Sequence, residues 1–146
     1  MTPQEEQELA ERVVREMLSR DAFSRRMGMH VVSVAPRSAT VRMAVSHELL
    51  NGFGVCHGGA TFALADSALA FASNTHGQVT VSIENSMTYP KTIVEGDVLT
   101  AIAEEESATA RLAFYRVTVR RAEGEIVALF RGTVYKTNKP FFEDSK

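Results

Sequence analysis

At 146 residues, 45% hydrophobic and 23% charged, the chain has the size and make-up of one globular domain, which argues against disorder and low complexity. A formal net charge of −2 argues against a nucleic-acid binder, whose basic footprint tilts the balance strongly positive, and a single cysteine, Cys56, allows no internal disulfide, as suits a reducing cytoplasm. The charged opening MTPQEEQELAERVV lacks the apolar centre of a signal peptide, and the longest apolar run, Ala60 to Ala72, is interrupted by Thr61, Asp66 and Ser67 and is too short to span a bilayer.

Leu9, Val13, Met17 and Leu18 recur at helical spacing, with acids early, arginines later and Gly28 at the end. The pattern predicts an amphipathic helix with a second short turn around Ala22 to Met27, so that residues 1–28 form an N-terminal helical region. MHVVSVAP and SATVRMAVS are Val-rich runs separated by Pro36-Arg37, the signature of a hairpin. Gly59 to Asn74 then reads as a helix of about 24 Å. Phe62, Ala63, Leu64, Ala65, Ala68, Leu69, Ala70, Phe71 and Ala72 leave it almost no polar face, so it is expected to be surrounded by protein. Four further runs, VTVSIENSMTY, DVLTAIAEEES, ARLAFYRVTVRR and EIVALFRGTVYK, read as strands with short connections, which favour antiparallel pairing. In the first of these the odd positions, Val79 to Tyr89, are mostly apolar and the even ones polar, predicting one face on the core. Residues 138–146 are polar and expected to form a flexible tail. The whole is an α+β domain with an antiparallel sheet of five to six strands around a long central helix, and an open sheet edge would invite a second subunit.

Chemistry concentrates at NGFGVCHGGATFALADSALAFASN, Asn51 to Asn74. Gly58-Gly59 at a helix start leaves unpaired N–H groups at the positive end of the dipole, with no Cβ to keep a substrate carbonyl away. That geometry makes an oxyanion hole, although paired glycines also serve simply as a tight entry to a helix. Asp66 lies within the apolar run, where desolvation raises its pKa and strengthens it as a base once ionised. A buried acid of this kind is either catalytic or a structural partner for a backbone group or an arginine. Cys56 beside His57 is better read as a buried thiol than as a nucleophilic pair, because neighbouring side chains diverge. His30, His47, His57 and His76 show no metal-ligand spacing, so no metal is expected.

The block Asn51…His57-Gly58-Gly59…Asp66, followed by VSIENSMTY and VALFRG, resembles the PaaI-type phenylacetate-degradation thioesterases within the hotdog-fold acyl-CoA thioesterase superfamily. The resemblance spans nearly the whole chain, 1–146, as a single hotdog domain, with the long helix as the sausage and the sheet as the bun. It implies hydrolysis of acyl-CoA to free acid and coenzyme A, with aromatic acyl groups such as phenylacetyl or hydroxyphenylacetyl. It also implies dimers with a continuous sheet, assembled further as dimers of dimers, and no cofactor beyond the coenzyme A of the substrate. By position, the catalytic carboxylate falls on Asp66, as general base or nucleophile, and the oxyanion donor on Gly58. The site asparagine falls on Asn51, His57 supports its loop, and the serine that orients the water falls on Ser82. Asp66 would come from one subunit and Asn51 and Gly58 from the other. Gly59 would line the substrate site, and Lys91, Arg111 or Lys136 would meet the coenzyme A phosphates. Where many relatives carry Leu-Arg-Pro, this chain reads Tyr89-Pro90-Lys91-Thr92. Two other readings are a hotdog enoyl-CoA hydratase or dehydratase, and a non-catalytic acyl-CoA-binding module.

Overall fold

The computed structural model describes residues 1–143. Helix α1, Pro3–Arg20, starts where the sequence dictates. The Thr2 hydroxyl accepts the Glu5 N–H, the Glu5 carboxylate accepts the Thr2 N–H, and Pro3 occupies the first turn. It buries Ala10, Val13 and Val14. The short helix α2, Ala22–Arg26, is capped by Asp21, whose carboxylate accepts both the backbone N–H and the hydroxyl of Ser24. Strands β1, His30–Ala35, and β2, Ser38–Ala44, form the expected hairpin, with Arg37 in the left-handed region at φ 63°.

Helix α3, Gly58–Asn74, is followed by β3, Gln78–Thr88, β4, Val98–Ala108, β5, Leu112–Arg121, and β6, Ile126–Pro140. The six strands make one antiparallel sheet in the order β1-β2-β4-β5-β6-β3. Strands β4, β5 and β6 meander, and β3, which follows α3 directly, pairs with β6 at the far edge. The connection from α3 to β3 is fixed by Asn74. This residue is 3% exposed, donates its amide to Ala70 O and Thr80 O, and accepts the Thr80 N–H.

The sheet wraps one face of α3. Ala60, Thr61, Leu64, Ala65, Ala68, Leu69 and Ala72 recur at three- and four-residue spacing and are buried against inward residues such as Val41, Ala101, Val117 and Phe130. Small residues at these positions let the sheet approach the helix axis closely. The helix is not enclosed all round, however. Phe62, Ala63, Asp66, Ser67 and Ala70 form a half-buried stripe, so the expectation of a fully surrounded helix is corrected within one subunit. The buried Ser24 hydroxyl meets Ser67 at 2.8 Å and ties α2 to the edge of this stripe.

The predicted alternation in β3 is also corrected. Its register against β6 slips between Ser82 and Glu84, where a β-bulge inserts an extra residue. Ser82 is paired with buried Val134 and thus faces α3, whereas Val81 and Ile83 are exposed. Beyond the bulge Asn85 and Met87 face inward, opposite Gly132 and Phe130. Residues 138–140, placed in the expected flexible tail, lie in strand β6. β6 runs to Pro140, Phe141 N–H bonds Gly77 O, and Phe142 lies under the Arg12 guanidinium. Residues 144–146 of that expected tail lie outside the described residues. Among the described residues no helix is long and apolar enough to cross a membrane.

Candidate active site

The loop before α3 is organised by Asn51. Its side-chain oxygen accepts the N–H groups of Phe53 and Val55, at 2.9 and 3.4 Å, and its backbone N–H bonds Val55 O. The amide NH2 is thus the part of the Asn51 side chain with no role in holding the loop. Phe53 at the loop tip is 93% exposed. Gly54 adopts φ 78°, the left-handed conformation that closes this turn.

His57 caps α3. Its Nδ1 accepts the Gly59 N–H at 2.8 Å, so the ring nitrogen facing the helix is unprotonated. The Gly58 N–H, one position earlier, has no acceptor within the helix and points out of the N-terminus. The Gly58 carbonyl also accepts the Tyr89 hydroxyl, at 2.8 Å. The Gly58–Gly59 peptide is therefore held at both ends, by Tyr89 at its C=O and by His57 at its N–H. Both glycines lie close against these two side chains. A Cβ on Gly58 would lie 3.3 Å from the Tyr89 oxygen, and one on Gly59 would lie 3.0 Å from His57 Nδ1.

Cys56 is buried, with Sγ donating to the His57 backbone carbonyl at 3.5 Å and lying 3.6 Å from the Thr61 hydroxyl. Burial pushes its thiol pKa up, and the His57 ring is committed to Gly59, so the two side chains do not form a nucleophilic pair. A cleft of about 280 Å³ opens beside Gly58, with Tyr89 and Lys91 on its wall.

Asp66 lies two turns further along α3, on the half-buried stripe. Burial raises its carboxyl above the ordinary carboxylate value, and a 3.3 Å hydrogen bond donated by the Asn85 side-chain amide opposes that rise. Asn85 in turn accepts the Ser82 hydroxyl at 2.8 Å. The structure therefore brings Ser82 to Asp66 through Asn85, a residue that the sequence reading did not single out. Gly132 completes the cluster from β6. A Cβ there would fall 2.6 Å from Asn85 Oδ1 and 2.6 Å from Leu69 Cδ2.

The sequence-predicted residues fall into two groups within one subunit. Asn51, His57, Gly58, Gly59 and Lys91 cluster at the N-terminus of α3, and Asp66 and Ser82 are linked through Asn85 at its middle. Arg111 belongs to neither. It lies in the β4–β5 turn, where its carbonyl accepts the Lys136 N–H, near the end of β6 remote from Thr88 and Tyr89. Among the described residues no three His, Cys, Asp or Glu side chains are grouped so as to hold a metal ion.

A family model described as the thioesterase superfamily matches residues 53–128, which takes in the α3 N-terminus, Asp66, Ser82 and Asn85. The chain is 38% identical to a protein of Archaeoglobus fulgidus, over 92% of this chain and 87% of that one. It is 32% identical to the acyl-coenzyme A thioesterase PaaI of Escherichia coli, over 82% of this chain and 86% of that protein. The structure of E. coli PaaI, from the phenylacetic acid degradation operon, superposes with a TM-score of 0.89 across 92% of this chain and 97% of that one. A mutant of the phenylacetic acid degradation protein PaaI of Thermus thermophilus superposes at 0.77, with 41% identity, over 80% of this chain and all of that one.

Proposed function

Because the chain belongs to the thioesterase superfamily, we propose that it hydrolyses acyl-CoA thioesters at sites built from two copies of the chain, with Asp66 from one and Gly58 and Asn51 from the other. The observation that carries this reading is the separation of the two groups on α3. Eight residues of helix place the Gly58 N–H and Asp66 about 12 Å apart along the axis. A thioester carbonyl bonded to one and a single water bonded to the other, bent at the carbonyl carbon, span less, since each hydrogen bond reaches only about 2.6–3.2 Å. One subunit holds both halves of the machinery at a spacing that does not close. A neighbouring subunit, related by a two-fold axis at the β3 edge, would set its α3 antiparallel to the first and bring the halves together.

Three features support that pairing. Among the described residues β3 is an edge strand that pairs with β6 alone, and it exposes Val81 and Ile83. The half-buried stripe of α3 lies on the same side. Phe53 projects its whole ring from the loop that carries Asn51, as an anchor for a second surface would. Pairs of such dimers are the assembly this reading extends to.

The chemistry follows from the groups. Ionised Asp66 takes a proton from water as the water oxygen attacks the thioester carbon. The carbonyl oxygen becomes an oxyanion at the Gly58 N–H, where the dipole of α3 adds positive potential. The Asn51 NH2 supplies a second donor to the carbonyl or a hold on the water. As the tetrahedral centre collapses the C–S bond breaks, coenzyme A leaves as thiolate, and the Asp66 proton returns to the departing sulfur. Lys91, on the wall of the cleft beside Gly58, would bind a coenzyme A phosphate. The finer reading, aromatic acyl groups in phenylacetate degradation, is drawn from the phenylacetic acid degradation for which the E. coli and T. thermophilus relatives are named. A cytoplasmic location fits the single reduced, buried thiol.

The test is a panel of acyl-CoAs with release of free thiol as the readout. Hydrolysis that falls by at least about 10²-fold in Asp66→Ala supports the reading. Water addition to an enoyl-CoA, or tight binding without turnover, would replace it with a hydratase or a binding module. Wild-type turnover by the Asp66→Ala protein would remove Asp66 from the mechanism.

A further inference from the structure

We propose that Asn85 is the positioning residue of the Asp66 carboxylate, and that Ser82 and Gly132 act on the reaction only by fixing the Asn85 amide. The proposal rests on the reading of Asp66 as the reacting carboxylate. It concerns what sets that group's orientation and charge.

The bulge in β3 creates the arrangement. In a regular strand, residues three apart face opposite sides of the sheet. The extra residue between Ser82 and Glu84 puts both Ser82 and Asn85 on the side of α3, opposite Val134 and Gly132 respectively. The Ser82 hydroxyl can then reach the Asn85 oxygen at 2.8 Å, and the Asn85 amide can reach Asp66 at 3.3 Å.

Hydrogen-bonding chemistry fixes the direction of each bond. An ionised carboxylate only accepts, so the Asn85 NH2 must face Asp66 and its Oδ1 must face Ser82. Ser82 has a single hydroxyl hydrogen, and that hydrogen is committed to Oδ1. It is left with lone pairs alone, so it cannot donate to a substrate carbonyl. Gly132 fixes the amide from below, because any side chain there would occupy the space of Asn85 Oδ1 and the Leu69 methyl. Asp66 Oδ1 is taken by Asn85, which leaves Oδ2 to receive the proton from water.

The surroundings leave Asn85 as the principal control. Among the described residues no charged side chain pairs with Asp66. From β3 it meets Asn85, with Ser82 behind. From α2, Ser24 meets Ser67, the chain neighbour of Asp66, with the Asp21 carboxylate behind it as the acceptor of the Ser24 hydroxyl. Glu84 is exposed and paired with Thr133 on the other face of β3. Asn85 therefore opposes the desolvation that would otherwise keep the carboxyl protonated at higher pH.

The experiment measures two quantities in Asn85→Ala, Asn85→Asp, Ser82→Ala and the Asn85→Ala/Ser82→Ala double variant. These are the acid limb of kcat/KM against pH, and the ¹³C titration of the Asp66 carboxyl without substrate. Both should move to higher pH in Asn85→Ala, by on the order of half to one pH unit. They should move further in Asn85→Asp, which keeps the shape, and so the fold, but sets a like charge beside Asp66. Ser82→Ala should give a smaller shift in the same direction and add nothing once Asn85 is alanine. An unmoved limb and unmoved carboxyl titration in both Asn85 variants would overturn the proposal. Additive effects of Ser82→Ala and Asn85→Ala would overturn the indirect role of Ser82. If no acyl-CoA is hydrolysed, the thioesterase reading fails, while the carboxyl titration still decides whether Asn85 controls Asp66.

Discussion

Gly132→Ala perturbs the candidate site from a position remote from any substrate. The added Cβ would sit 2.6 Å from both Asn85 Oδ1 and Leu69 Cδ2, and 3.2 Å from Phe130 Cε1. Ordinary carbon contacts are about 3.5–4.0 Å, so both near neighbours must retreat by roughly 1 Å. Leu69 and Phe130 are fully buried and packed, which makes that retreat costly. Overpacking of this kind costs about 1–3 kcal/mol. Loss of backbone freedom in the unfolded chain returns about 0.4–1 kcal/mol, because Gly132 lies in a regular strand conformation that alanine can adopt. The net expectation is destabilisation of about 1–2 kcal/mol, or a fall in Tm of roughly 3–7 °C for a chain of this length. Displacement of Asn85 should also move the acid limb of activity to higher pH, in the direction expected for Asn85→Ala. Urea unfolding at fixed protein concentration and a pH–activity profile measure the two effects. An alanine variant with unchanged midpoint and unchanged acid limb would refute the reasoning, since it would mean that β6 has room beside Asn85.

Asp66→Asn should stabilise the protein at pH 7 while removing activity. The folded-state pKa of Asp66 is raised by burial, so its ionisation opposes folding. Its contribution to stability is fully present below the ordinary carboxylate pKa and is lost as pH rises through the folded value. The gain should be at most about 1 kcal/mol after solvent screening of a half-exposed group, and denaturation at acid pH should show it vanish. Tyr89→Phe removes the hydroxyl that holds the Gly58 carbonyl. A bond worth about 0.5–1.5 kcal/mol, if lost chiefly in the transition state, lowers kcat by about 2- to 13-fold with little change in KM. Equal activity would show that His57 alone fixes the turn. His57→Ala should cost about 1 kcal/mol of stability through loss of the α3 cap, read by thermal unfolding.

Much of the fold was legible because local rules agreed with one another. The Thr2–Glu5 capping box, the Pro36-Arg37 turn and the small-residue run of α3 each point to the element that forms. β3 was not legible in the same way. Its alternation of Val79, Val81 and Ile83 suggests one inward apolar face, but the bulge reverses the parity part-way and turns Val81 and Ile83 outward. A bulge is set by pairing with β6 and leaves no periodic mark in the strand's own sequence. The same fact hid Asn85 and Gly132. They meet across 47 positions of sequence, and their importance comes from a shared inward register that no local pattern encodes. Asp66 could be found because a charge in an apolar helix is conspicuous. Gly58 could be found because paired glycines at a helix start expose backbone donors. The Tyr89 clamp had no such signal, since a tyrosine at a strand end is ordinary.

The division of labour between subunits is the central claim, and complementation between two inactive variants tests it most directly. Asp66→Asn removes the base. Gly58→Pro removes the proposed oxyanion N–H at the first helical position, where proline is well tolerated and His57 already has extended backbone; its Cβ would come 3.3 Å from the hydroxyl of the exposed Tyr89, which must give by a few tenths of an ångström. The two proteins are mixed, allowed to exchange subunits, and assayed for thiol release from acyl-CoA. With random pairing, half the dimers are hybrids and each hybrid holds one intact site of two, so activity should return to about a quarter of the wild-type value. A mixture that exchanges subunits yet stays inactive would contradict a site shared between chains.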